Sequence, residues 1–187
     1  ANTSANAITA SCFMTSSVLS YGADFTFVVT VDGSGNFVID GQTKPALTLY
    51  KGFTYTFDVS NSGIASGGHA FAFATQTDGA SSSGYTTGVV STGTQGQANA
   101  KITLTTSSTT PSTLHYYCTN HNSKGNAITV TNVHYILKDA PIPSGSALQL
   151  LDGGAKMVVQ SGDRMFFQSN TVSSLDVWLS RVDSISV

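Results

Sequence analysis

From Asn36 to Val130 the chain is a succession of short runs in which apolar and polar side chains alternate. Gly41, Lys51-Gly52, Ser62-Gly63, Asp78-Gly79 and Thr110-Pro111 interrupt these runs at close intervals. Runs of this length and period suit strands with one buried face and leave no room for helices of several turns. The strands expected here are Asn36–Ile39, Ala46–Leu49, Thr54–Ser60, His69–Ala74, Ala100–Thr105, Ser112–Tyr117 and Ala127–Val130. Their punctuation predicts a β-sandwich. Composition agrees, since Thr, Ser, Gly, Val and Phe are abundant and only 10% of residues are charged. The stretch from Asp78 to Asn99, rich in Ser, Gly and Thr, is expected as a long sandwich loop anchored by Tyr85 and Val89-Val90.

Further strands are expected on both sides of this series. Ile8–Thr15 and Ala23–Val31 precede it, the second with Phe25, Phe27, Val29 and Val31 on one face, and Asp32-Gly-Ser-Gly then reads as a break. After it, Val133, Tyr135 and Leu137 alternate until Ala140-Pro141-Ile142-Pro143, where proline cannot donate to a central ladder. Four more strands are expected at Ala147–Leu151, Lys156–Gln160, Arg164–Gln168 and Leu175–Arg181. Two strands alone cannot form a stable sheet. The economical reading is an all-β chain in which residues 1–32 and 132–187 form one discontinuous β-sandwich docking domain, with residues 33–131 inserted at a turn.

Several function classes are excluded at this level. A net charge of -2 and a pI near 6.0 supply no basic field for nucleic acid. No apolar run reaches the ~18 residues that suggest a membrane span, and the N-terminus has no basic region followed by an apolar run, so no secretory signal is expected. Gly-x-Ser-x-Gly, His-Glu-x-x-His and phosphate-loop motifs are missing, and the acidic residues are scattered singly, so neither catalysis nor a calcium loop is expected. Cys12 and Cys118 are too few for a disulfide framework.

One stretch carries ligand chemistry. In Leu114–Asn126 an aromatic strand runs into Cys118-Thr-Asn-His121, where thiol and imidazole stand at metal-binding spacing. Together with Leu47–Asp58, His69–Phe73 and Tyr85–Gly88, this stretch resembles the cupredoxin-like fold. The resemblance implies a Greek-key sandwich with His69, Cys118 and His121 as copper ligands, and places Lys124 where a weak axial Met is expected. Lys124 would bring a cation near the ion unless it turns to solvent. The expectation is a metal-free scaffold with Cys118 as a small buried hydrophobe. Copper is the alternative cofactor, and zinc with a water the lesser one.

The run from Val133 to Asp163, closing with Leu175–Ser180, resembles small β-sandwich structural proteins of tailed bacteriophages, those of marine cyanobacteria in particular. This implies a non-enzymatic virion component, made in the host cytoplasm and present in many copies as capsid decoration, neck or tail protein. Its implied partners are other virion proteins, sister subunits or the host surface. Trp178 falls on the expected solvent face of its strand, and adjacent Phe166 and Phe167 point to opposite faces, so all three are interface candidates. His115 and His134 read as structural. Two other classes remain as alternatives. One is a soluble copper protein for electron transfer or metal capture, and the other is a carbohydrate-binding or adhesion module that stacks sugars on Tyr85, Tyr116 or Tyr117.

Overall fold

A computed structural model describes residues 1–15, 25–151, 157, 159 and 163–180. In chain order the strands are β1 (Ile8–Thr15), β2 (Thr26–Val31), β3 (Phe37–Ile39), β4 (Gln42–Thr43), β5 (Leu47–Tyr50) and β6 (Thr54–Asp58). A short helix α1 (Ser62–Ser66) leads to β7 (Phe71–Ala74). A 3-10 turn over Thr77–Ser82 precedes β8 (Val89–Thr92), β9 (Lys101–Thr105), β10 (Thr113–Cys118), β11 (Asn126–Thr131), β12 (His134–Ile142) and β13 (Arg164–Ser169). The chain is all-β in class and divides into two compact units, residues 18–132 and residues 1–17 with 133–187. No helix among the described residues is long and apolar enough to cross a membrane.

The larger unit has a four-stranded sheet ordered β5-β11-β10-β7 and a six-stranded sheet ordered β4-β3-β2-β6-β9-β8. Their inner faces share one core. Phe27 and Phe57 of the second sheet stack with ring centroids 4.8 Å apart, and Phe57 meets Phe71 of the first sheet at 5.3 Å. Full burial of such a side chain contributes about 1.5–3 kcal/mol. Two parallel pairs, β2 with β6 and β5 with β11, sit among antiparallel neighbours.

The membership of β2 corrects the expected boundary at residue 32. Thr26, Phe27 and Val28 pair with Thr56, Phe57 and Asp58, so this strand belongs to the larger unit, and the division falls after Ser17. Asp32-Gly-Ser-Gly is a hairpin turn and not a break. The Asp32 carboxylate accepts from the Ser34 and Asn36 backbone N–H groups, each at 2.9 Å, and the strand returns as β3. Turn residues announce a reversal equally well within a domain as between two. The expected loop 78–99 also contains β8, which pairs with β9 along the sheet edge.

Tyr55 in β6 is 2% exposed. Its hydroxyl accepts from the Tyr50 backbone N–H at 2.7 Å and donates to the Tyr50 carbonyl at 3.3 Å. Burial, only partly opposed by the bond to Tyr50, pushes its pKa up to about 12. A phenol whose folded pKa exceeds its unfolded value of about 10 contributes stability that is complete below pH 10 and is lost as pH rises through 12. The contribution is about 3 kcal/mol. The urea midpoint is therefore expected to fall between pH 10 and 12, and the Tyr55→Phe variant to show less of that fall. The variant removes the hydroxyl that accepts from the Tyr50 N–H, at a cost of about 1–3 kcal/mol at neutral pH. Equal alkaline slopes for the two proteins would contradict this.

In the smaller unit β1 is the middle strand of a three-stranded antiparallel sheet ordered β12-β1-β13. Pro141 lies within β12 opposite Thr9, so the strand does not stop before it. It is tolerated because β12 is an edge strand among the described residues. Ile8, Ala10 and Ile142 form a small core with Leu175, and Leu175 bridges to Asn2. Alternation misled elsewhere in this unit. Residues 147–151 form no strand, and of Leu175–Arg181 only the bridge at Leu175 forms, while Arg181 lies outside the described residues. Of Lys156–Gln160 only Met157 and Val159 are described, and neither is in a strand. A strand needs a ladder partner as well as the pattern.

Candidate metal centre

Pairing of β7 with β10 sets Phe71 opposite Cys118, which places the residues just before β7 beside the end of β10. His69 reaches this position from α1. The Asn61 side chain caps that helix by accepting from Gly63 N–H at 3.0 Å, Gly68 turns out of it at φ +63°, and the His69 N–H donates to the Ile64 carbonyl at 2.8 Å. Across the gap, Thr119 N–H donates to the Ala70 carbonyl at 3.0 Å, and the Asn120 amide donates to the Gly68 carbonyl at 2.6 Å. Both bonds tie the Cys118–His121 turn to the turn that carries His69.

The result is a compact donor set. Cys118 Sγ lies 3.4 Å from His121 Nδ1 and 3.8 Å from His69 Nδ1, and the three donor atoms fall within 4.8 Å of one another. An ion bound at about 2.0–2.3 Å to nitrogen and sulfur in trigonal geometry would separate them by roughly 3.8 Å. The three residues thus fit a single metal ion of that size. Cys118 is 3% exposed, His69 partly buried and His121 exposed, so the set opens on one side to solvent.

Two glycines fix the direction of the His69 ring. A Cβ on Gly35 would stand 2.5 Å from His69 Cε1, and one on Gly67 would stand 2.4 Å from His69 Cδ2. The far edge of the imidazole is packed against bare backbone on two sides, which leaves Nδ1 to face Cys118. Burial first, and then the charges of His121 and Lys124, hold the His69 pKa below its ordinary value. A lowered pKa favours the neutral ring, the form that ligates a metal.

The remainder of the turn is held from three directions. Ser123, at φ +62°, donates its N–H to Asp78 Oδ1 at 2.9 Å, and its carbonyl accepts from Lys44 Nζ at 3.0 Å. Lys124 turns away from the donor set, with Nζ donating to the Ser34 carbonyl at 2.7 Å and its own carbonyl accepting from Phe37 N–H at 2.9 Å. Gln95 clamps the start of β7 by bonding both the Phe71 N–H and the Phe71 carbonyl, at 2.7 and 2.9 Å.

His69, Cys118 and His121, expected as a set, are thus brought together. The interface candidates divide: Trp178 is 95% exposed and Phe167 is exposed, whereas Phe166 stacks on Phe13 at 5.2 Å and is packed within its sheet. Tyr116 is buried with its hydroxyl on the Pro45 carbonyl, and Tyr117 lies over Gly79, so neither presents an open ring face like that of Trp178. His115 approaches Thr77 Oγ1 at 3.4 Å, and His134 is exposed. Cys12 and Cys118 are both free thiols. The parts that Gly35, Gly67, Asn120, Asp78 and Gln95 play around the centre are not signalled in the sequence, where Gly35 and Asp78 stand only as turn residues and Asn120 only as a spacer between Cys118 and His121.

No protein-family model matches this chain, and neither a curated protein nor a solved structure matches it.

Proposed function

We propose that this chain is a structural, non-enzymatic protein of a tailed-phage virion, present in multiple copies as capsid decoration, neck or tail component. The supporting observation is the run from Val172 to Leu179 in the smaller unit. Val172 is 92% exposed and Trp178 95% exposed, with Val177 and Leu179 also open to solvent. Large apolar side chains concentrated on one short segment are what an assembling surface presents before it is covered. Sister subunits or other virion proteins would cover it. The test is mass spectrometry of purified particles together with sedimentation of the isolated chain. Trp178→Ser is expected to weaken self-association about tenfold or more, as loss of a central aromatic anchor does, and to change stability by less than about 0.5 kcal/mol. Absence from particles combined with a monomer at high concentration would sink the proposal.

A second reading is favoured by a separate observation, the three converging donor atoms of His69, Cys118 and His121. Under it the larger unit is a cupredoxin-like module that holds copper, a metal suited to one thiolate and two imidazoles. Elemental analysis after copper loading tests this, with one ion per chain expected. The two readings are compatible, because a module that holds metal can be carried on a particle.

A further inference from the structure

We propose that Asn120 is a positioning residue of the His69–Cys118–His121 centre, whose side-chain amide latches the glycine turn that carries His69 to the turn that carries Cys118 and His121. This rests on the copper reading of the site and goes beyond it by naming a residue, not itself a ligand, that sets how well the donors are arranged before an ion arrives.

The need for a latch follows from where the three donors come from. Cys118 ends β10, where pairing with Phe71 fixes its backbone, and His121 follows three residues later. His69 instead comes directly after Gly67-Gly68. Glycine loses more conformational freedom on ordering than any other residue. Gly68 stands at φ +63°, and a Cβ there would meet nothing within 4 Å, so no packing on that side confines it. Its own N–H donates to the Ala65 carbonyl at 3.1 Å and the His69 N–H to the Ile64 carbonyl at 2.8 Å, which ties the turn only to its own short helix α1.

Asn120 supplies the tie to the other turn. Its amide nitrogen donates to the Gly68 carbonyl at 2.6 Å, and its amide oxygen accepts from the Thr119 hydroxyl at 3.3 Å, an arrangement that aims the nitrogen at Gly68. Asn120 immediately precedes His121, and the carbonyl it engages belongs to the residue immediately before His69. One side chain thus joins the main chain beside two of the three donors. The Thr119 N–H bond to the Ala70 carbonyl acts in the same direction but involves only backbone, so it persists when residue 120 is changed. Donors that must be ordered on binding subtract that ordering from the affinity, whereas donors already in place do not. Here Cys118 Sγ already lies 3.4 and 3.8 Å from the two imidazole Nδ1 atoms.

The test compares the full chain with Asn120→Ala, which removes the latch, and with Asn120→Asp, which keeps the shape and loses the donor. Cu(I), the oxidation state that soft donors favour, is offered under ascorbate in competition with bicinchoninate. Urea unfolding gives the stability, and amide hydrogen exchange of the metal-free chain reports the latch without any ion. Both variants are expected to bind Cu(I) about 10–100-fold more weakly, as loss of an outer-sphere partner does. Residue 120 is exposed, so their urea midpoints should stay within about 0.3 M of wild type. The Gly68 and His69 amides should exchange about tenfold faster in both metal-free variants, with the β10–β11 amides unchanged. Wild-type Cu(I) affinity in the two variants would overturn the latch and leave the copper reading standing. A fall in affinity matched by a fall in the urea midpoint would also overturn it, since the residue would then act on the whole unit. Failure of the wild type to compete for Cu(I) would overturn both.

Discussion

Replacing Gly125 by alanine should destabilise the larger unit by about 3 kcal/mol or more, a shift of at least roughly 1 M in the urea midpoint. A Cβ at this position would lie 1.8 Å from the Tyr116 carbonyl oxygen, 2.6 Å from its carbon and 3.0 Å from Tyr117 Cα. All three are backbone atoms, so no side-chain rotation relieves the overlap. Tyr116 pairs directly with Asn126, and that register continues through His115↔Ala127 to Leu114↔Ile128. The chain can accept a methyl at residue 125 only by opening the end of the β10–β11 ladder, which also carries Cys118. The buried Leu114, Tyr116 and Ile128 would lose packing together. Gly33→Ala is the matched control, because its Cβ meets nothing within 4 Å. That substitution should be neutral to slightly stabilising, by up to about 1 kcal/mol. A midpoint for Gly125→Ala within 0.5 kcal/mol of the control would show that the turn is not held as tightly as its contacts imply.

Gly125 illustrates what a linear reading of this chain reaches and what it misses. Most strand positions in the larger unit follow from period-two alternation, because strands such as Phe37–Ile39 and Asn126–Thr131 bury one face in a shared core, whereas Gln42–Thr43 is exposed at both residues. Cys118 and His121 were visible for the same local reason, being three residues apart in one turn. The partnership of His69, however, depends on the register of β7 with β10, and only the resemblance to a known fold pointed to it. The glycine contacts depend on chain segments far apart in sequence. Gly35 meets His69 across 34 positions, and Gly125 is dictated by Tyr116 on the preceding strand. β2 was assigned to the wrong domain because its partners, β3 and β6, are specified by pairing and not by its own pattern. In the smaller unit, Leu148 and Leu150 alternate plausibly, but no strand forms there and Leu148 remains exposed, since no strand among the described residues takes the segment up.

Cys118→Ala separates the two roles open to the thiol, that of a small buried hydrophobe and that of a ligand. As a hydrophobe Cys118 fills a position 3% exposed in the core, and its loss should cost about 1 kcal/mol, which the larger unit can absorb while remaining folded. As a ligand it is the one anionic donor of the three, and the imidazoles alone hold copper far less well. Loss of an outer-sphere partner typically weakens metal binding 10–100-fold, so removing this direct ligand should lower Cu(I) affinity by more than about 100-fold. His121→Ala completes the comparison. That side chain is exposed, so its removal should leave stability within about 0.5 kcal/mol of wild type while Cu(I) affinity still falls. A scaffold role predicts the opposite pattern, with stability responding to Cys118 and nothing responding to His121. Competition with bicinchoninate for the affinity and urea unfolding for the stability, on the same three proteins, decide between them. If His121→Ala competes for Cu(I) as well as wild type does, the converging donors are a feature of the fold and not a metal centre.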